Sequence, residues 1–108
     1  MDWITLDTVE QVDAIIKLSY SKQVVIFKHS TSCGISKMVL KGFQRDIDSM
    51  DVDATNFYFL DLIAFRSVSN YIADKLEVRH ESPQMIIIQN GKAVHDASHN
   101  TINAASIK

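Results

Sequence analysis

The chain has a single cysteine, a single proline and three glycines among its 108 residues. Cys33 alone cannot close an internal disulfide, and one thiol cannot hold a zinc ion without histidine or carboxylate ligands. Chemistry at this thiol therefore needs a partner from outside the chain. The scarcity of proline and glycine excludes collagen-like and low-complexity chains, and 46% hydrophobic with 22% charged residues is the balance of a packed globular domain. An excess of one charge is also missing. Eleven Lys and Arg stand against thirteen Asp and Glu, a formal net charge of -2, and no basic stripe interleaves with aromatic residues, so the electrostatic footprint of nucleic-acid binding is absent. The longest apolar runs, such as Met85 to Ile88, fall far short of the roughly 20 residues that span a bilayer. The amino terminus has no basic-then-apolar signal pattern. The expectation is a cytoplasmic protein of one domain, residues 1–108, with neither a membrane nor a nucleic acid as partner.

After a short apolar start at Trp3 to Leu6, Thr8 and Gln11 have capping-box spacing, and Val9, Val12, Ile15 and Ile16 recur at helical intervals. A first helix is predicted from Thr8 to about Tyr20. "QVVIFK", Gln23 to Lys28, is β-branched and almost continuously apolar, which suits a central strand buried on both faces. From Cys33 onward Ile35, Met38, Val39, Phe43 and Ile47 follow helical spacing and form the predicted inner face of a second helix. "NFYFLDL", Asn56 to Leu62, reads as a strand and Ser67 to Leu76 as a third helix. "PQMIIIQ", Pro83 to Gln89, is a further strand, and Asn90-Gly91 is a hairpin turn leading into "KAVHDA". The tail from about Asn100, with Ile102, Ala104 and Ala105, is predicted to close as a short helix. This order predicts an α/β fold with parallel early strands and an antiparallel last strand at the edge. Trp3, Phe57, Tyr58 and Phe59 are expected to supply core bulk.

The thiol falls where the apolar strand gives way to the second helix. A free cysteine with a pKa of about 8.5 is mostly protonated at neutral pH, yet the thiolate is the reactive form. A helix start offers unpaired backbone N–H groups and the positive end of the helix dipole, so this placement should lower the pKa. Lys28 and Lys37 add positive charge nearby in sequence, and His29 is a candidate for tuning the thiol. Three residues after Cys33, where dithiol oxidoreductases carry a second cysteine, stands Ser36. Its hydroxyl can hydrogen-bond a thiolate but cannot resolve a mixed disulfide, so the arrangement is monothiol and needs a second thiol from solution. A buried, inert cysteine is the bland alternative. The polar "HSTS" before Cys33 and Gly34 after it suit an exposed loop better than a core.

The stretch "KHSTSC", Lys28 to Cys33, the following "GIS", Gly34 to Ser36, and "SPQMIIIQNGK", Ser82 to Lys92, resemble the YtxJ-type monothiol bacilliredoxins. The likeness covers nearly the whole chain. It implies a thioredoxin-like fold, a central mixed sheet of four to five strands flanked by helices, with Cys33 as nucleophile and Pro83 as a cis-proline facing it. It further implies removal of bacillithiol from protein mixed disulfides. Catalysis would rest on Cys33 and Ser36, and substrate binding on Ser32, Gly34, Ile35, Ser82 and Pro83. Bacillithiol would be co-substrate, bacillithiolated proteins and the low-molecular-weight thiol the partners, and no cofactor or metal would be bound. The family commonly has proline after the cysteine, where this chain has Gly34 and so keeps one more N–H donor.

Two other readings stand beside it. "CGIS" is similar to the "CGFS" signature of monothiol glutaredoxins, some of which carry an iron-sulfur cluster with glutathione as co-ligand. Those proteins usually have a proline where Thr31 stands and a Gly-Gly with an acidic residue where this chain has "NGKAVHDASH". A non-enzymatic role, in which Cys33 is modified under oxidative stress, is the other. Thioredoxin-fold arsenate reductases would need arginines around the thiolate, and Arg45, Arg66 and Arg79 are scattered along the chain. "DIDSMDVD", Asp46 to Asp53, is spaced somewhat like a calcium loop but lacks its glycine and closing glutamate, so it is expected to be a helix end and loop. His29, His80, His95 and His99 form no zinc-binding pattern.

Overall fold

The computed structural model describes residues 2–32 and 34–107. These form β1 (Trp3–Thr5), α1 (Val9–Leu18), β2 (Gln23–His29), α2 (Gly34–Asp48), β3 (Thr55–Asp61), α3 (Arg66–Leu76), β4 (Gln84–Gln89) and β5 (Lys92–Ser98). Two short 3-10 turns, His99–Thr101 and Ala104–Ser106, follow. The five strands make one sheet in the order β1-β3-β2-β4-β5. β3 runs parallel to both β1 and β2, β4 is antiparallel to β2, and β5 is the antiparallel edge beside β4.

β2 is the central strand, as its unbroken apolarity predicts, and six of its seven residues are buried. Strand side chains alternate between faces, so β2 feeds two cores at once. Val24 and Ile26 pack with Val12 and Ile15 of α1 and Val68, Ile72 and Leu76 of α3. Val25 and Phe27 pack on the other face with Phe43 and Ile47 of α2, Phe57, and Ala104 and Ile107 of the tail. Each fully buried side chain of this size contributes about 1.5–3 kcal/mol of transfer free energy. The aromatic expectation also holds: the Trp3 ring meets Phe27, Phe43 and Phe57 at centroid distances of 6.0, 6.2 and 6.0 Å.

Local signals set the boundaries. α1 begins after Thr8, whose side chain accepts from the Gln11 N–H while the Gln11 side chain reaches back to the Thr8 N–H, completing the capping box. The predicted tail helix is corrected to two 3-10 turns. Thr101 Oγ1 donates to the Ser98 carbonyl at 2.6 Å, and Asn103 Oδ1 accepts from the Ala105 N–H at 2.9 Å. Short polar side chains thus compete with the backbone and stop an α-helix from propagating. Asp46 to Asp53 is, as expected, the end of α2 and the loop after it. Among the described residues no helix is long and apolar enough to cross a membrane.

The β4–β5 turn combines positive φ at Asn90 (53°) and Gly91 (77°), the conformation a two-residue hairpin loop asks for. Two bonds pin it to the end of α1: the Asn90 N–H donates to the Ser19 carbonyl at 2.8 Å and the Gly91 N–H to Ser19 Oγ at 2.9 Å. A Cβ on Gly91 would run into the Tyr20 ring and hydroxyl. Tyr20 is exposed and can swing aside, but the left-handed backbone cannot be relieved. Gly91→Ala is therefore expected to cost about 1–2 kcal/mol, read as a lower urea midpoint at unchanged slope. An unchanged midpoint would show that this turn tolerates a side chain.

Candidate active site

The candidate site lies at one end of the sheet, where β2 and β3 finish and β4 begins. His29 is in register with Asp61 of β3, and Lys28 with Gln84 of β4. Pro83, one residue before Gln84, therefore lies at the same end as His29. The Ser82–Pro83 peptide is cis, as the family resemblance implies. Pro83 is buried, its carbonyl accepts from the His99 N–H at 3.0 Å, and Ser82 is half-buried.

After His29 the chain turns through buried Ser30 and exposed Thr31 and Ser32, with the Ser30 and Ser32 hydroxyls 3.3 Å apart. Cys33, the proposed nucleophile, lies outside the described residues. The next residue, Gly34, opens α2, and both Gly34 and Ile35 are exposed. Their backbone N–H groups belong to the first helical turn, which has no intrahelical acceptors for them. A Cβ at Gly34 would meet nothing within 4 Å, so crowding does not demand glycine there.

Ser36 is fully buried. Its Oγ accepts the Ser30 N–H at 3.1 Å and bonds His29 Nδ1 at 2.8 Å. The hydroxyl expected to serve the thiolate is thus held by two partners, one at the end of β2 and one on the loop that follows it. Its burial corrects the inner face predicted for α2. Ser36, Phe43 and Ile47 point inward, with Val39 and Leu40 half-buried, whereas Ile35 (57% exposed) and Met38 (68%) face solvent. The reason is rotational: residues 36, 40, 43 and 47 share one side of a 3.6-residue helix, and 35 and 38 fall outside it. With Ile63 and Phe65, which follow β3 and are also exposed, they leave apolar surface on two segments at the end of the sheet where β2 and β3 finish.

His29 is buried, and its ring lies 5.4 Å from the Phe59 ring. Burial holds its pKa below the usual imidazole value; Asp61 opposes that shift and Lys37 adds to it. Lys37 is exposed. Lys28, which the sequence offered only as nearby positive charge, is fully buried on the opposite face of β2. Its Nζ donates to the Ser69 carbonyl at 3.2 Å and lies 3.4 Å from His80 Nδ1. Burial lowers its pKa from 10.5 to about 8. Ser69 Oγ also lies 3.2 Å from His80 Nδ1. Among the described residues no carboxylate is paired with Lys28. This Lys28–Ser69–His80 group was missed in the sequence, although a lysine inside an otherwise apolar central strand was its visible sign.

A central strand running into a polar loop, a helix opening just past that loop and a cis-proline starting the adjacent antiparallel strand define a class: thioredoxin-fold oxidoreductases. A solved structure described as a candidate oxidoreductase with a thioredoxin fold superposes with a TM-score of 0.77 and 33% identity, over 95% of this chain and 88% of its own. Thioredoxins of Malassezia sympodialis (TM-score 0.72, 97% of this chain and 84% of that one) and Schistosoma mansoni (0.71, 98% and 89%) match at 21% identity and show the shared fold. Within the class the chain belongs to the monothiol bacilliredoxin BrxC family, whose model matches residues 4–107.

Proposed function

We propose that the protein removes bacillithiol from protein mixed disulfides through Cys33, with bacillithiol as co-substrate and no bound cofactor. The observation that carries this reading is membership of the monothiol bacilliredoxin family over residues 4–107. In the first step the Cys33 thiolate attacks the bacillithiol sulfur of the mixed disulfide. A Cys33–bacillithiol disulfide forms, the protein–bacillithiol bond breaks, and the protein sulfur leaves with the electron pair and takes a proton from water. In the second step a bacillithiol thiolate attacks the bacillithiol sulfur on Cys33. Bacillithiol disulfide departs and the Cys33 thiolate returns, so the chain undergoes no net oxidation.

The N–H groups of Gly34 and Ile35 are assigned to the developing sulfur anion, and Ser36 supplies a hydroxyl. Ser32, Ser82 and Pro83 hold the incoming disulfide, the half-buried Ser82 offering backbone to an extended substrate segment. The partners are bacillithiolated proteins and the free low-molecular-weight thiol. The reaction belongs in the cytoplasm, where protein thiols are kept reduced.

The test is incubation with a bacillithiolated protein while intact mass is followed. The expected result is one bacillithiol adduct on Cys33 and stoichiometric release of substrate thiol. Absence of both would sink the proposal. A brown protein with visible absorbance dependent on Cys33 would instead favour the cluster-carrier reading.

A further inference from the structure

We infer that Gln84 and His99 are positioning residues for the mixed-disulfide substrate: they hold the carbonyls of Arg79 and Pro83, and so fix between these two points the Ser82 backbone that an incoming chain pairs with. This role rests on the reading of Ser82 and Pro83 as substrate-binding residues and adds what holds them in place.

Gln84 is the less expected of the two. It opens β4 on the face of the sheet that carries Ile86 and Ile88, and it is 1% exposed. Its Nε2 donates to the Arg79 carbonyl at 2.9 Å; a carbonyl only accepts, so the amide is turned with Nε2 toward it. Oε1 then accepts from no group among the described residues. A buried amide with one end unbonded weakens a core, and methionine would fill much the same space without that cost. What the glutamine returns is the tie to Arg79, across the loop that ends in the cis-proline. Such departures from apolar packing belong to functional sites more than to cores.

His99 supplies the other tie. Pro83 has no N–H, so its carbonyl is its only backbone hydrogen-bonding group, and the His99 N–H donates to it at 3.0 Å. The bond carries the β4–β5 ladder one residue beyond the Gln84–Ser98 pair. His99 has a left-handed backbone, φ 55°, at the start of a turn that Thr101 Oγ1 closes onto both the N–H and the carbonyl of Ser98, at 3.2 and 2.6 Å. Histidine is among the residues that tolerate this conformation, whereas a β-branched side chain does not. The imidazole also lies 3.8 Å from the Glu81 carboxylate, but the two side chains are 53% and 36% exposed, and solvent leaves such a pair little weight. The backbone is what acts.

Between the two ties Ser82 is half-buried and takes part in no hydrogen bond among the described residues. Its N–H and carbonyl are the open positions of an otherwise fastened loop. A backbone held in this way loses little freedom when a chain pairs with it, which is how pre-organisation raises affinity. A substrate with no peptide backbone gains nothing from it.

The test compares two substrates at saturating bacillithiol: a peptide carrying one bacillithiolated cysteine in mid-chain, and the mixed disulfide of bacillithiol with 2-mercaptoethanol, which has no backbone to pair. The wild type is expected to favour the peptide in kcat/KM. Gln84→Met and His99→Val should each reduce that preference about fivefold, the effect of one hydrogen bond, through the KM of the peptide rather than kcat. Gln84→Met should do so with a urea midpoint no lower than that of the wild type, so that a loosened fold is not the cause. His99→Asn, which keeps the left-handed backbone and loses the imidazole, should retain the preference. Equal losses on both substrates would overturn the inference, because a general loss of structure does not distinguish them. So would a wild type without preference, which leaves the proposed reaction standing; a wild type inactive on both substrates would remove that reaction and this role with it. Should Gln84→Met not fold, the two His99 variants carry the test, since that residue is exposed: a preference lost alike in His99→Val and His99→Asn would assign the effect to the side chain and refute the backbone role.

Discussion

Replacing Cys33 by serine is expected to bring turnover down to the rate of spontaneous exchange between bacillithiol and the mixed disulfide. A serine hydroxyl does not form an anion at neutral pH and does not attack sulfur, so the first step has no nucleophile. Rescue from within the chain is excluded by composition, since no second cysteine exists. The monothiol cycle adds a kinetic signature. A dithiol enzyme expels its first product with its own second thiol, whereas here the position three residues on is Ser36, buried and bonded to His29 and Ser30. Release from the Cys33 adduct must then depend on external thiol, first order in bacillithiol until binding saturates. The measurement is steady-state release of substrate thiol, wild type against Cys33→Ser, at several bacillithiol concentrations. Substantial turnover by the variant would mean that the protein acts as a scaffold and that the chemistry lies with the small thiol.

The parts of this fold that were legible in the sequence are those governed by short-range rules. The Thr8–Gln11 box, the Asn90-Gly91 turn and the unbroken apolarity of Gln23 to Lys28 each express a constraint acting within a few residues. The structure meets each of them in place. What escaped the sequence depended on rotation or on distant partners. Ile35 and Met38 share the 3.6-residue rhythm with Phe43 and Ile47, and only the packed sheet decides that Ser36 takes the inward position of the first turn. The tail has the composition of a helix, but Ser98, Thr101 and Asn103 bond their own neighbours instead. The candidate site divides in the same way. Cys33, Ser36 and Pro83 could be singled out from motif spacing and family resemblance. The bond between His29 and Ser36 joins residues seven apart across a loop, and the bonds from Lys28 reach Ser69 and His80, 41 and 52 residues away.

Lys28→Met is expected to make the protein more stable, and the gain is expected to depend on pH. A buried ammonium whose pKa falls from 10.5 to about 8 carries a penalty of about 3 kcal/mol, because each pKa unit corresponds to about 1.4 kcal/mol. Methionine has nearly the same length and no charge. It gives up the bonds to the Ser69 carbonyl and His80 Nδ1, but Ser69 Oγ remains 3.2 Å from that nitrogen, and the Ser69 carbonyl sits inside α3, so neither group is orphaned. Subtracting the lost bonds leaves a gain of about 2 kcal/mol at pH 7, in keeping with replacements of other buried charges by apolar side chains. The sign of the pH dependence follows from linkage. Below pH 8 both folded and unfolded wild type hold the proton, and the penalty is present in full. Between about pH 8 and 10.5 the folded state releases the proton and the unfolded state keeps it, so wild-type stability rises relative to the variant. Above that range the penalty is gone and the advantage of methionine has faded. Urea melts of both proteins at pH 7, 9 and 10.5 check this, and the difference cancels every other titrating group. Lys28→Ala serves as the contrast, since an empty space in a packed core costs about 2–5 kcal/mol and should make that variant less stable than Lys28→Met at every pH. A lower midpoint for Lys28→Met across the whole range would mean that the ammonium, through Ser69 and His80, holds α3 and the segment before Pro83 more strongly than its burial weakens the fold.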